Sequence, residues 1–328
     1  MMAAMVPDPI ESSSIRTGAV RAAVFGEWEE LFAGAGRSPL EQSWHYGDAV
    51  AALHGARAGR HIVDLDGRPV ALVQAFRSWD WRLGSINRIV RGPVWLEDLS
   101  ADQRTDVLGA VKQAAAPRVT DLLFWLPDLP DGAASEALMK GLGLRRMVTG
   151  YATVWLDIRP AEDLLRAGLN GNWRNALVAA EKAGVRIRPA NAERTFEVAV
   201  TAYDAFRKRH RYIGPPGDVI REIHRLSGGS KKESAARVWI ALTGNVAIAG
   251  IAMIRHGASA TYAAAWTGDE GRRLNAHNLL LWRAVGDLRK SGTQWLDLGG
   301  IDTQTSPGIA RFKLGLGGEV VIQSGTYF

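Results

Sequence analysis

The chain carries the same order of secondary structure twice, and this internal duplication limits the folds it can adopt. The alternating segment at 60–77 is typical of strand, Asp-Gly turn and strand. The segment at 236–255 has the same pattern around Gly244-Asn245. Equivalent elements lie roughly 175 residues apart, which indicates a duplicated α/β unit. After the first hairpin we predict a strand at Ile89–Trp95, a helix at 101–116 and a strand at Leu122–Leu126. After the second hairpin we predict a strand at Ala260–Trp266, a helix at 274–290 and a strand at Trp295–Leu298.

The repeated order indicates a particular kind of domain. Hairpin, strand, helix, strand is the order of an N-acetyltransferase-like (GNAT-like) α/β domain with a mixed sheet. At 328 residues, the chain is long enough for two domains of about 150 residues. We therefore predict an α/β protein with two tandem GNAT-like domains, at 1–150 and 151–314. We expect 1–14 to form a flexible tail and 315–328 to pack back onto the first domain.

Composition excludes several classes of protein. A hydrophobic content of 47% with 23% charged residues fits a globular protein, and no apolar run reaches the roughly 18 residues that span a bilayer. Without cysteine there is no disulfide, thiol nucleophile or Cys-ligated zinc, and the seven histidines lack metal-binding spacing. The first residues lack a basic region followed by a long apolar core, so we expect a cytoplasmic protein.

The positive charge of the chain is concentrated in one segment. Residues 166–237 hold 15 of the 40 Lys and Arg residues but only 7 of the 34 Asp and Glu residues. Such a surplus attracts a polyanion such as RNA, a nucleotide pyrophosphate or an anionic membrane face. A solvated helical face explains the same charge without any ligand, so charge alone leaves both interpretations open.

The basic segment is predicted to contain two amphipathic helices. Apolar residues recur at helical spacing over Ala161–Gly184, where the final glycine ends the helix before a strand at Val185–Arg188. A second helix is predicted over Thr195–His210. The residues at 207–211 are all basic, a placement that the negative end of the helix dipole favours.

The segment near the C-terminus carries the clearest chemical signature. An apolar strand stops at Gly299 and Gly300, where glycine permits a positive φ or the close approach of a ligand. Farther along, Lys313 follows Phe312 and precedes a Gly-rich stretch. An ammonium group beside such a backbone suits the stabilisation of negative charge during acyl transfer.

Five motifs follow one another along the chain. They are Gln42-Ser43-Trp44 at a helix start, Arg91-Gly-Pro-Val94, the basic helix from Asn172 with its exit Glu181-Lys-Ala-Gly-Val185, Arg209-His210 before Pro215-Pro216, and DLGGI with Phe312-Lys313. In this order they resemble the Fem family, the tRNA-dependent aminoacyltransferases that build peptidoglycan cross-bridges. The resemblance runs from Glu41 to about Gly318 and implies transfer of an aminoacyl group from charged tRNA to an amine of a peptide-containing acceptor.

The resemblance also implies roles for individual residues. It places Lys313 near the reacting carbonyl, as an oxyanion stabiliser or a proton-transfer group, where the alternative is a surface lysine on a strand edge. Asp297 is the second catalytic candidate and would orient Lys313, the acceptor amine or a backbone turn. Phe312, Gly299 and Gly300 are the substrate-contacting residues of the same motif.

Further binding residues are expected outside this motif. Arg91 and Arg209 are candidates for acceptor phosphates because a guanidinium forks onto phosphate oxygens, although Arg91 also fits a turn. Tyr212 and Trp44 complete the substrate-binding set, and packing explains both equally well. The residues expected to contact tRNA are Arg174, Lys182, Arg186, Arg207, Lys208 and Arg211.

The resemblance implies aminoacyl-tRNA as co-substrate, no other cofactor, and a monomer. Contact with a membrane surface is expected only if the acceptor is lipid-linked. Family members that bind nucleotide-linked precursors often carry a lysine where this chain has Asp48, which weakens the case for a UDP-linked acceptor. This chain also lacks the charged helical arm that some members carry. The expected acceptor is a peptidoglycan precursor, and a peptide or nucleoside natural product stays open as the alternative.

Two other functions are compatible with the sequence. An acyl-CoA N-acyltransferase needs a Gly-rich phosphate loop before the helix at 274–290. The residues there lack that Gly-x-Gly spacing, although Gly268, Gly271, Arg272 and Arg273 offer the elements of a phosphate site. The other alternative is a non-catalytic RNA- or precursor-binding protein, in which loss of Lys313 would change no activity.

Overall fold

The computed structural model describes residues 19–80, 84–118, 120–212, 214–229 and 234–328. The tail expected at 1–14 lies outside these residues. Within them the chain forms two mixed β-sheets with helices on both faces.

The first sheet takes strands from the first half of the chain and one from the C-terminus. Their order across the sheet is β1-β2-β3-β4-β6-β15-β7, and β5 pairs with β3. The strands are β1 Ala19–Ala22, β2 Arg57–Leu65, β3 Arg68–Asp80, β4 Gly84–Val90, β5 Val94–Trp95, β6 Leu122–Leu126, β7 Arg146–Val148 and β15 Thr326–Tyr327.

The second sheet is built from the second half of the chain. Its order is β14-β8-β13-β12-β11-β10-β9. The strands are β8 Ala152–Asp157, β9 Arg186–Pro189, β10 Ala236–Thr243, β11 Val246–His256, β12 Ser259–Thr267, β13 Trp295–Ile301 and β14 Glu319–Ile322.

Helices cover the faces of these sheets. A short 3₁₀ turn at Leu40–Gln42 precedes the second helix. The α-helices of the described residues are α1 Phe25–Gly34, α2 Trp44–His54, α3 Ala101–Ala115, α4 Ala133–Gly141, α5 Glu162–Ala167, α6 Gly171–Lys182, α7 Glu193–His210, α8 Gly217–Leu226, α9 Asp269–Arg273, α10 Ala276–Lys290 and α11 Pro307–Leu314.

The predicted duplication is confirmed. The hairpin β2–β3, then β4, α3 and β6, corresponds to the hairpin β10–β11, then β12, α10 and β13. Each sheet contains one parallel pair, β4 with β6 and β12 with β13, because a helix carries the chain back to the same end of the sheet. The fold class predicted from the alternating and helical patterns is therefore the observed one.

Two predicted strands have different bounds in the structure. Ile89–Trp95 is divided into β4 and β5 because Arg91 adopts a left-handed conformation, with φ of 52°. The strand predicted over Trp295–Leu298 is β13, and it continues past the glycine pair to Ile301. It contains a bulge opposite β8, and Gly299 has φ of 73° there, a conformation that glycine adopts without strain.

The helix predicted over 161–184 is two helices, α5 and α6. The break occurs because the backbone N–H of Asn170 donates to the Gly315 carbonyl, 2.9 Å away, instead of continuing the helix. The Asn170 side chain then accepts from the N–H of Asn172 at 3.0 Å and caps α6. This capping places the start of α6 against the end of α11.

Alternating side chains of the second sheet create two separate cores. One face packs against α6 and α10 through residues such as Ile251 and Met253. The opposite face packs against α7 and α8 through Ala252 and Ile254. The helix α2 of the first half packs against α8, and Ala49 is part of that second core, so the two halves share apolar packing.

The C-terminal segment contributes to both sheets. After α11, strand β14 pairs with β8 in the second sheet, whereas Thr326 and Tyr327 join the first sheet between β6 and β7. Gln323 lies between them, and its N–H donates to the Tyr151 carbonyl at 3.0 Å. The last residues therefore connect the two sheets directly.

Gln42 joins the 3₁₀ turn to the first sheet and provides a test of that junction. Its fully buried amide donates to the carbonyls of Val90 at 2.8 Å and Gln74 at 3.2 Å, and accepts from the Gln74 N–H at 2.7 Å. Gln42→Ala leaves these buried groups unpaired, so we expect it to lower the free energy of unfolding by about 3 kcal/mol in urea titration. Gln113→Ala, at an exposed position of α3, should change it by less than about 0.5 kcal/mol.

Candidate functional site

The parallel strands β12 and β13 separate and leave an opening in the second sheet. They pair only over Ser259–Thr261 and Trp295–Asp297. Beyond this point β12 continues to Thr267 and β13 to Ile301 without pairing to each other. Unpaired backbone groups at such an opening need other partners, so this part of the sheet is suited to binding.

The Lys313 side chain occupies this opening. It projects from α11 and donates from Nζ to the Gly300 carbonyl at 2.7 Å, and Nζ lies 5.6 Å from the centroid of the Tyr262 ring. Lys313 is only 5% exposed. Burial lowers the pKa of Lys313 to about 8, against the opposing influence of Asp297. The lysine therefore lies on a helix at the sheet opening, and not on a strand edge.

Asp297 holds the backbone next to Lys313. Its buried carboxylate accepts from Arg91 Nη1 at 2.6 Å through Oδ2. Its Oδ1 accepts from the Thr153 hydroxyl at 2.5 Å and from the Gly299 N–H at 2.8 Å. These bonds fix the bulge of β13, so the connection between Asp297 and Lys313 runs through the glycine pair and is not a direct bond.

Arg91 does not lie on a surface that is open to a phosphate group. It is 3% exposed, and besides Asp297 it faces the Glu41 carboxylate, with Oε2 at 3.5 Å from Nη1. Burial alone would lower the pKa of Arg91, but Glu41 and Asp297 raise it above its ordinary value. Burial raises the pKa of Glu41 and Asp128, and Arg91 opposes both shifts. Arg91 is therefore the shared cation of a buried acidic cluster.

Two residues that the sequence did not single out complete the opening. The Tyr262 hydroxyl lies 2.8 Å from His277 Nε2, and burial lowers the pKa of His277 to about 4, so the imidazole is neutral. Phe312 is half-buried and packs against both His277, at 5.1 Å between ring centroids, and Trp173, at 5.8 Å. Tyr262 and His277 belong to an apolar strand and a helix start, where nothing in the sequence marks them.

The remaining substrate-binding candidates lie elsewhere in the described residues. Tyr212 packs against the core on the α7 and α8 face of the second sheet. Arg209 is exposed on the last turn of α7. Trp44 belongs to an aromatic cluster of the first half, where the Arg60 guanidinium lies 3.9 Å from its ring centroid. Asp48 pairs with the same Arg60 at 2.6 Å.

The residues expected to contact tRNA do not form one surface. Those on α6 and those on α7 lie on opposite faces of the second sheet, so the basic segment of the sequence is divided in space. Several also have partners within the protein. Arg174 donates to the Ala167 and Leu169 carbonyls, and Arg186 donates to the Gly244 carbonyl. Arg207 pairs with Asp204 at 3.8 Å. The side chains of Lys182, Lys208 and Arg211 are exposed.

A cavity of about 630 Å³ lies between α6 and α11, next to the Lys313 opening. Phe312, Trp173 and Asn278 line it, together with Ala176 and Thr303. Cavities that bind small molecules commonly have a volume of this order. Among the described helices, none combines the length and the apolarity that crossing a bilayer requires.

Comparisons with known proteins agree with this architecture. Residues 168–314 match the family described as acetyltransferase (GNAT) domain. The crystal structure of FemX superimposes with a TM-score of 0.77, covering 94% of this chain and 96% of FemX at 13% identity. The chain has the same fold as FemX, with two GNAT-like units in tandem. The prediction of two tandem GNAT-like units, and the Fem resemblance at the level of fold, are confirmed.

More distant solved structures have the same arrangement. A tandem GNAT protein from the clavulanic acid biosynthesis pathway matches with a TM-score of 0.50 and 15% identity, over 92% of this chain and 93% of that one. The C-terminal domain of a putative lysylphosphatidylglycerol synthetase from Agrobacterium fabrum matches with a TM-score of 0.52 and 11% identity, over 92% and 90%. No curated protein sequence matches the chain.

The hydrogen bond from Thr153 to Asp297 can be tested with a matched pair of variants. Thr153→Val keeps the side-chain shape but removes a donor from a buried carboxylate. We expect the free energy of unfolding to fall by about 1–3 kcal/mol. Thr293 is equally buried, but its hydroxyl has no hydrogen-bond partner among the described residues. Thr293→Val should therefore be neutral or stabilising, and equal losses in both variants would contradict the assigned bond.

The buried ammonium of Lys313 predicts a pH-dependent stability. Because folding lowers the pKa of Lys313 from 10.5 to about 8, the unfolded chain binds more protons between these values. The free energy of unfolding of the wild type should rise by about 3 kcal/mol relative to Lys313→Met as the pH increases from 8 to 10.5. Below pH 8 the buried Lys313 ammonium is charged in the folded protein, and it lowers the free energy of unfolding by its full amount. Lys140→Met, at an exposed lysine of α4, should give a curve parallel to that of the wild type.

Proposed function

We propose that this protein is an aminoacyltransferase, which moves an aminoacyl group from aminoacyl-tRNA to an amine of a peptide-containing acceptor. The observation that carries the proposal is the Lys313 side chain, buried in the opening between β12 and β13 and held on the Gly300 carbonyl. The GNAT domain match over 168–314 supports acyl transfer as the class of reaction. The finer assignment rests on the resemblance of the motifs around Asp297 and Lys313 to the Fem family.

The proposed reaction is the aminolysis of an ester. The neutral acceptor amine attacks the aminoacyl carbonyl carbon, a C–N bond forms, and the carbonyl oxygen becomes an oxyanion. Lys313, protonated, stabilises that oxyanion in a site from which water is largely excluded. The C–O bond to the ribose then breaks, and the proton lost by the amine goes to the ribose oxygen. With a pKa of about 8, Lys313 also exchanges protons readily near neutral pH.

The segment between β12 and α10 supports tRNA over acyl-CoA as the donor. In place of a Gly-rich phosphate loop it forms the short helix α9. Gly271 is packed against β11, where an added Cβ would lie 2.4 Å from the Ile248 carbonyl oxygen. Arg272 pairs with Asp269 at 2.5 Å and Arg273 with Glu270 at 2.6 Å. Arg272 and Arg273, the two arginines that could contribute to a phosphate site, therefore already have acidic partners.

The acceptor that we propose is a peptidoglycan precursor or, alternatively, a peptide or nucleoside natural product. The resemblance of the motifs to the Fem family supports the first, and the fold shared with a tandem GNAT protein from the clavulanic acid biosynthesis pathway is compatible with the second. We propose a cytoplasmic monomer that contacts a membrane surface only if its acceptor is lipid-linked. The exposed Lys208, Arg209 and Arg211 on and just after α7 are the cations most available to RNA.

The proposed donor is tested by transfer assays with bulk tRNA charged with labelled amino acids and, in parallel, with acetyl-CoA. We expect RNase-sensitive transfer from tRNA, reduced at least about 100-fold by Lys313→Ala because an oxyanion-stabilising group is lost. Lys140→Ala should have wild-type activity. Affinity for tRNA should fall steeply as the salt concentration rises.

The other outcomes assign one of the competing functions. Acetyl transfer from acetyl-CoA with no transfer from charged tRNA would show that the protein is an acyl-CoA N-acyltransferase. Unchanged RNA or precursor binding in Lys313→Ala, with no transfer by the wild type, would indicate a non-catalytic binding protein.

A further inference from the structure

Tyr262 lies at the point where β12 leaves β13, and the sheet holds its backbone less firmly there than elsewhere. Thr261 is the last residue of β12 that pairs with β13. On the other side of β12, the register with β11 shifts between Ala252 and Met253, so the ladder is irregular next to Tyr262. The position of the Tyr262 ring therefore depends on its side-chain contacts as well as on the sheet.

The Tyr262 ring lies between an ammonium and an imidazole. Its centroid is 5.6 Å from Lys313 Nζ. Its hydroxyl is 2.8 Å from His277 Nε2, and the planes of the two rings meet at 72°. An aromatic ring within about 6 Å of an ammonium attracts the charge. It also keeps water away from that side of the ammonium. The Tyr262 ring is therefore the part of β12 that encloses Lys313.

His277 has the geometry of a side chain that fixes this ring. It is the second residue of α10, and its other ring nitrogen, Nδ1, is buried with no hydrogen-bond partner among the described residues. Burial lowers the pKa of His277 to about 4, and the start of a helix also disfavours a positive charge. The neutral imidazole packs against Phe312 as well, with 5.1 Å between ring centroids. His277 thus connects β12 to the helix that carries Lys313.

We propose that His277 is a positioning residue, which acts through Tyr262 to hold the Lys313 ammonium on the Gly300 carbonyl. A lysine side chain has many rotamers, and fixing one of them requires contacts on several sides. The hydrogen bond from α11 to Gly300 supplies one contact, and the ring held by His277 supplies another. The effect on transfer rests on the proposed function, in which Lys313 stabilises the oxyanion from a fixed position.

The first measurement is the pH dependence of Lys313 labelling by acetic anhydride, read at the Lys313 peptide by mass spectrometry. Among the groups around the ammonium, Asp297 favours the charged lysine, and burial keeps Tyr262 and His277 neutral. The wild-type midpoint should be about 8. His277→Leu keeps an apolar contact with Phe312 but cannot bond to Tyr262. We expect it to raise the midpoint by at least about 0.5 pH unit, because water then reaches the ammonium.

The same variant has an expected effect on turnover. In the transfer assay with charged tRNA, His277→Leu should lower kcat about tenfold and change KM by less than about twofold. The split follows because a misplaced ammonium affects the transition state more than it affects substrate binding.

A double-mutant cycle tests whether His277 acts through the Tyr262 hydroxyl. Tyr262→Phe removes the same hydrogen bond from its other end and should shift the labelling midpoint by the same amount. The double variant should match either single variant, because one bond cannot be lost twice. His277→Gln places an amide nitrogen near the position of Nε2, so it should restore both the midpoint and kcat to near the wild-type values.

Controls separate this role from a general loss of packing. His54→Leu makes the same substitution at the exposed end of α2 and should have the wild-type midpoint and kcat. Thermal unfolding identifies a variant that is unfolded at the assay temperature. If His277→Leu is unfolded, Tyr262→Phe and His277→Gln carry the test, with a shifted midpoint expected in the first and a wild-type midpoint in the second.

The outcomes distinguish this proposal from the proposed function. A midpoint that is unchanged or lower in His277→Leu, or single-variant shifts that add in the double variant, would overturn the role of His277 whatever the donor is. The expected shifts in a protein that transfers only from acetyl-CoA would support the role of His277 and contradict the tRNA donor. Transfer from tRNA with an unchanged kcat in His277→Leu would support the donor and contradict the positioning role.

Discussion

The buried ion pair between Arg91 and Asp297 is the interaction on which the site depends. Arg91 comes from the turn after β4 in the first half, and Asp297 comes from β13 in the second, so the pair joins residues 206 positions apart. A buried pair of this kind contributes little net stability, but breaking it leaves an uncompensated charge at a cost of about 3–5 kcal/mol. Its consequence is geometric: Asp297 also binds the Gly299 N–H, so the contact between the two halves sets the bulge that receives Lys313.

Desolvation determines the chemistry of that bulge. The opening between β12 and β13 is filled by the Lys313 side chain, and its ammonium has the Gly300 carbonyl and the Tyr262 ring as neighbours. Removing the ammonium from water lowers its pKa, while the carboxylate of Asp297 limits the shift. In the proposed reaction, this lysine is both the cation that stabilises the oxyanion and a group whose proton is easily exchanged near neutral pH.

The elements predicted from periodicity agree with the structure where a local pattern decides the conformation. The two hairpins, α3 and α10 were predicted within a few residues, because alternating and helical spacing reflect which face is buried. The predictions differ where a distant residue intervenes. The helix expected over 161–184 is broken because Asn170 bonds to Gly315, and the strand expected to end at the glycine pair continues because β8 pairs with it around a bulge.

The sequence by itself determined the duplicated α/β order and pointed to Lys313 and Asp297 through a motif of adjacent residues. Tertiary structure alone decided that Arg91 is buried against Asp297 and that Tyr262 and His277 lie beside Lys313. It also divided one basic segment between two faces of a sheet. The physical reason is that periodicity reports burial along one element. Which groups meet depends on how sheets, helices and chain ends pack, and these contacts join residues far apart in the chain.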